Sequence, residues 1–162
     1  MDKLKDRTTY NAKYLEYEEF AEKILSYTSV PYQIEIQPGR EKGKALCWMS
    51  CPYCYGGSAQ NSGDRLSAER YIQIIKEVSS GPNGRIEKLI LAGYATDPLN
   101  YEHFDDLYEC SLNHNFITGI HTKLLKISKK FLHLVSQENV RDKSYISVSI
   151  DAGFKESYNI TH

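Results

Sequence analysis

The chain has 162 residues, ordinary for one domain and enough to bury roughly 70% of its unfolded surface. Hydrophobic residues make up 41% and charged residues 25%, which excludes disordered, collagenous and coiled-coil chains. Twenty basic residues against 21 acidic ones give a net charge of −1, so the basic footprint of a nucleic-acid binder is absent. No stretch approaches ~18 consecutive apolar residues, and no membrane-spanning helix is expected. The charged opening Met1-Asp2-Lys3-Leu4-Lys5-Asp6-Arg7 has no apolar run behind it. A secretory signal is therefore not expected, and a reducing, cytoplasmic location follows as the default.

In chain order, Phe20, Ala21, Ile24 and Leu25 recur at helical spacing, which predicts a lead-in helix within residues 1–30 that stops before Pro31. Tyr32, Ile34 and Ile36 alternate with polar residues as a strand does, and Pro38-Gly39 ends it. A long loop then carries three cysteines and the Gly- and Ser-rich stretch 56–64. Ser67 is placed to cap a helix over 68–79, with Tyr71, Ile74, Ile75 and Val78 on one face. After the Gly81-Pro82-Asn83-Gly84 turn, the continuous apolar run Leu89-Ile90-Leu91-Ala92 reads as a strand buried on both faces. A loop over 94–101 leads to a helix over 102–113, a third strand from Phe116 to His121, and a third helix marked by Ile127, Phe131, Leu134 and Val135. A β-branched fourth strand runs from Tyr145 to Ile150 and ends at Asp151-Ala152-Gly153. Strict alternation of strands and helices predicts an α/β fold on a parallel sheet.

Cys47, Cys51 and Cys54 lie within eight residues, in a loop after the first strand, where parallel α/β proteins place their sites. Disulfides are not expected without a secretory context. Three thiolates in one loop can hold three corners of a metal cluster; iron–sulfur clusters usually take four, so one iron would stay open. Two other readings use the same residues. A structural zinc wants four ligands, with His103, His114, His121 or Cys110 as the fourth. Cys51-Pro52-Tyr53-Cys54 beside a βαβ unit also matches a redox C-x-x-C, although Cys47 has no place in that scheme. Cys110 reads as a packing residue on a helix. His121 and Lys123, at the end of the third strand, read as structural residues on the cysteines' rim. Thr96-Asp97-Pro98, taken alone, is a turn and helix start.

The C-x3-C-x2-C spacing, with aromatic Tyr53 before the last cysteine, resembles the signature of the radical S-adenosylmethionine (SAM) superfamily. The resemblance implies that Cys47, Cys51 and Cys54 bind a [4Fe–4S] cluster, that SAM takes the open iron, and that Tyr53 packs near the adenine. Gly93-Tyr94-Ala95-Thr96-Asp97-Pro98 stands where the family has a Gly-Gly-Glu-Pro type motif that contacts the SAM amino group. Tyr94 replaces the usual Glu; a Gly-x-x-Thr-Asp-Pro version is similar to branches such as spore photoproduct lyase. The SAM contact is thereby carried to Gly93, Thr96 and Asp97. Glycine permits close backbone approach, and a carboxylate suits an ammonium group. Ser147-Val148-Ser149-Ile150-Asp151 also looks like the family, which puts Ser149 and Asp151 near the SAM ribose or the substrate.

The resemblance runs over residues 31–162 and implies a partial (β/α)6 TIM-like barrel, with about four of its six units in this chain. A radical SAM enzyme, or its truncated core, is the expected function. Reductive cleavage of SAM would give a 5′-deoxyadenosyl radical that abstracts hydrogen from a substrate the sequence does not identify. The electron donor would be a flavodoxin or ferredoxin. A zinc-binding structural module and an inactive fragment are the alternatives.

Overall fold

A computed structural model describes residues 33–38, 66–80, 86–93 and 96–150. The expected lead-in helix, the cysteine loop with Cys47, Cys51, Tyr53 and Cys54, and Asp151 lie outside the described residues.

Among the described residues, four short strands form one sheet in the order β1-β2-β3-β4: β1 is Gln33–Ile36, β2 Lys88–Leu91, β3 Ile117–Thr122 and β4 Ser144–Val148. Every pairing is parallel, with Ile36 beside Leu91, Leu91 beside Ile120 and Ile120 beside Ile146. The connections carry helices: α1 (Ala68–Ser79) between β1 and β2, α2 (Phe104–Asn113) between β2 and β3, and α3 (Lys129–Ser136) with the short α4 (Glu138–Arg141) between β3 and β4. The result is an α/β fold with a wholly parallel sheet, as in part of a TIM-like barrel. No helix among the described residues is long and apolar enough to cross a membrane.

The local chemistry explains these boundaries. The Ser67 hydroxyl accepts from the Arg70 amide and starts α1 over the residues its periodicity marks. Ser128 does the same for α3, accepting from the Phe131 amide at 2.8 Å, and its hydroxyl donates to Asp105 at 2.6 Å. Helix α2 ends in a Schellman turn. The Asn115 amide donates to Leu112 O, the Phe116 amide donates to Ser111 O, and Asn115 sits at φ 59°. Asparagine tolerates that left-handed conformation better than most residues.

Several boundaries differ from the sequence expectation. The third helix is two pieces, because Gln137 is extended (φ −70°, ψ 134°) and restarts the chain as α4. Pro98–Asn100 forms a 3-10 turn within the expected loop, and α2 starts at Phe104 rather than 102. Strand β4 stops at Val148, two residues early.

Alternation along each strand separates two faces. Ile36, Leu89, Leu91 and Ile120 lie under the helices, in one core with Tyr71, Ile75, Leu107, Phe116 and Leu134. Phe131 on α3 meets Phe104 and Tyr108 on α2 edge-on, with ring centroids 5.6 and 5.5 Å apart. The Tyr108 hydroxyl donates to Ser144 Oγ at 3.0 Å, and Ser144 passes its own proton to Val140 O at 2.9 Å. Burial pushes the Tyr108 phenol above its usual pKa. Ser111 donates to Tyr108 O at 2.7 Å, so the 2.9 Å contact between Ser111 and Thr118 requires Thr118 to be the donor there. Lys130 reaches Asp106 and Glu109 at 2.9 and 2.8 Å, and these carboxylates push its pKa up. All three groups are near half exposed, so the bridges orient α3 more than they stabilise it.

The opposite face is largely polar. Lys88, only 3% exposed, holds its ammonium 5.1 Å from the centroid of the Tyr145 ring. Tyr145 and His121 rings lie 6.1 Å apart. The Tyr145 ring rests over Gly119, where a Cβ would meet that ring and come within 2.7 Å of Ile90 Cδ1.

Two substitutions check this packing by thermal or urea unfolding. Phe131→Ala is expected to cost about 3–5 kcal/mol, as for a fully buried aromatic. Ser67→Ala is expected to cost about 1 kcal/mol through the lost cap alone.

Candidate functional site

Because all four strands run the same way, the segments that follow them share one rim of the sheet. Backbone hydrogen bonds carry the pairing past the strands and into that rim. The Ala92 amide donates to Ile36 O at 3.1 Å, and the Ser149 amide donates to Thr122 O at 2.9 Å. Between these two seams, the segments at the ends of β2 and β3 are joined by a side chain.

That side chain is Asp97, which is 3% exposed. It caps the Pro98–Asn100 turn, with Oδ1 accepting from the Leu99 amide at 3.0 Å and proline in the first turn position. The Thr122 hydroxyl donates to both carboxylate oxygens at 2.8 Å, and the Lys123 amide donates to Oδ2. Thr122 Oγ1 in turn accepts from the Leu124 amide at 2.8 Å. Leu124 itself stands at φ 58°.

Gly93 and Thr96 lie just ahead of Asp97 on the same loop, both half-buried. The chain folds back so closely that a Cβ on Gly93 would overlap the Thr96 carbonyl oxygen and lie 2.7 Å from its carbon. Only glycine fits this approach. Ser149 is exposed and reaches the group through its amide bond to Thr122 O. The structure therefore brings Gly93, Thr96, Asp97 and Ser149 to one rim. Two further residues of this rim, Thr122 and Leu124, carry no signal in the sequence. A buried threonine at a strand end is commonplace, and leucine does not announce a positive φ.

Of the residues weighed as a fourth zinc ligand, Cys110 and His114 meet at the end of α2, while His103 and His121 lie on other segments. His103 packs on Tyr101 and lies 3.5 Å from Asp106. Cys110 packs against the helical core, 3.7 Å from His114 Nδ1, and burial pushes its thiol pKa up. His121 lies on the polar face beside Tyr145. Among the described residues no three His, Cys, Asp or Glu side chains assemble into a metal site.

No protein-family profile matches the chain, and no curated relative matches it. Its fold is similar to crystal structures of SuiB from Streptococcus suis. SuiB bound to precursor peptide SuiA matches with a TM-score of 0.58 and 16% identity, over 93% of this chain and 32% of SuiB. A second SuiB structure matches with a TM-score of 0.55 and 17% identity, over the same shares. The chain thus spans about a third of SuiB, and the likeness is one of fold.

The Gly93–Thr96 approach gives a direct test of the rim. Gly93→Ala forces backbone apart rather than a flexible side chain. It is expected to cost about 1–3 kcal/mol in chemical unfolding, the range for overpacked sites.

Proposed function

We propose that this chain forms the first βα units of a radical SAM enzyme. The spacing of Cys47, Cys51 and Cys54, in the segment that follows the first strand of a parallel sheet, carries this reading. The likeness of the fold to SuiB, a radical SAM enzyme, supports it. The donor set fits a [4Fe–4S] cluster, since three thiolates leave one iron for a ligand that is not protein. When bound, the reduced cluster and SAM together supply reductive cleavage of the sulfonium and a 5′-deoxyadenosyl radical for hydrogen abstraction.

The chain's own residues would hold and orient these groups. Cys47, Cys51 and Cys54 would bind as thiolates, and Tyr53 would pack near the adenine. Gly93 and Thr96 offer closely packed backbone at the rim, while the resemblance puts Ser149 and Asp151 toward the ribose or substrate. The resemblance puts Asp97 on the SAM ammonium, yet three donors of its own chain already hold that carboxylate. A flavodoxin or ferredoxin would deliver the electron. A peptide is the first substrate class to assay, since one SuiB structure holds its precursor peptide.

Anaerobic reconstitution with iron and sulfide, then reduction and addition of SAM, tests the proposal. The expected result is a cluster whose EPR signal changes with SAM, together with 5′-deoxyadenosine. Cys47→Ala, Cys51→Ala and Cys54→Ala should each lose the cluster. Stoichiometric zinc with no cluster would replace this reading with a structural metal module. A cluster without SAM cleavage would mark the chain as a core that needs its remaining units.

A further inference from the structure

Leu124 occupies a conformation that its side chain disfavours. Its φ of 58° lies in the left-handed region, which a residue bearing a Cβ adopts only when its surroundings hold it there. Asn115, the other described non-glycine residue with positive φ, is accounted for by the helix end it terminates. Leu124 ends no helix; it follows β3 by two residues.

What holds it is a pair of buried side chains. Thr122 and Asp97 are each 3% exposed. The Thr122 hydroxyl has one proton, which it gives to the Asp97 carboxylate, and its lone pair receives the Leu124 amide at 2.8 Å. The Lys123 amide donates to the same carboxylate. Two successive amides of the turn thus face one Asp–Thr pair, and the pair belongs to two different rim segments. A buried carboxylate left without these donors would be costly, so the contacts constrain both segments together. Thr122 O also receives the Ser149 amide, so the same residue fixes the start of the segment after β4.

We infer that Asp97 is a positioning residue. With Thr122 it locks the left-handed turn at Leu124, and so sets where the segments after β2, β3 and β4 stand around the SAM cavity. The carboxylate acts through the rim, not on the ligand. Only the identity of the ligand rests on the radical SAM reading; the lock itself does not.

The test compares the wild-type chain with Thr122→Val, Thr122→Ser, Asp97→Asn and the double variant Thr122→Val/Leu124→Gly. Amide hydrogen exchange at Lys123 and Leu124 and SAM affinity by equilibrium dialysis after cluster reconstitution are measured for each. Valine can neither donate nor accept. Thr122→Val should speed exchange at Leu124 roughly 5- to 10-fold, the effect of one lost hydrogen bond, and weaken SAM binding by a similar factor. Serine keeps both roles, so Thr122→Ser should match the wild type. Glycine adopts the left-handed turn without strain, so Leu124→Gly should restore SAM affinity in the Thr122→Val background. Asp97→Asn puts an amide donor among donors and should behave like Thr122→Val.

Wild-type SAM affinity in Thr122→Val, with affinity lost in Asp97→Asn, would overturn the inference and return Asp97 to direct ligand contact. Failure of Leu124→Gly to restore affinity would overturn it too. If the wild-type chain binds no SAM, the functional reading fails, and exchange at Lys123 and Leu124 still decides the lock: unchanged rates in Thr122→Val would refute it.

Discussion

Parallel pairing is the constraint from which the rest follows. Two parallel strands cannot be joined by a tight hairpin, so every connection must travel back across the sheet. Here each return path carries a helix, and the helices cover the face that presents Ile36, Leu89, Leu91 and Ile120. The same rule delivers the end of every strand to one side. The loop that holds Gly93 and Asp97, the end of β3 at Thr122, and Ser149 after β4 are separated in the chain and meet at that side for this reason. Chemistry located there needs no special folding step beyond the sheet itself.

Hydrogen bonds within the chain tie the described rim segments to one another. Main-chain bonds close the β1–β2 and β3–β4 seams. Beyond the β2–β3 ladder, the two rim segments are joined by a carboxylate, which can bind several amides and a hydroxyl at once. A charged group can serve here because it is shared among several donors. The helical side obeys the same economy of protons: Thr118, Ser111 and Tyr108 pass donors along from strand to helix without leaving a hydroxyl idle.

Much of the fold was legible in the sequence. Helix α1 followed from its apolar spacing and from Ser67, and the unbroken run Leu89-Ile90-Leu91 marked the strand buried on both faces. The break at Gln137 was not legible, because neither proline nor glycine announces it and the apolar positions continue on both sides. At the site, Gly93 and Asp97 stood out through local motif and turn chemistry. Thr122 and Leu124 did not. Their significance arises from a contact across 25 residues, which no local pattern encodes. The cysteine loop and Asp151 stand on sequence resemblance alone, since they lie outside the described residues.

The absent side chain at Gly119 has a consequence for how this sheet can vary. The Tyr145 ring fills the space above Gly119, and Ile90 borders it from the adjoining strand. The three positions share a fixed volume. A bulkier residue in the middle strand is compatible with this backbone only if its neighbours shrink, and a smaller ring at 145 opens a hollow between strands. Substitution at these sites is therefore coupled: a gain in size at one is accommodated by a loss at another, whether or not a ligand touches them.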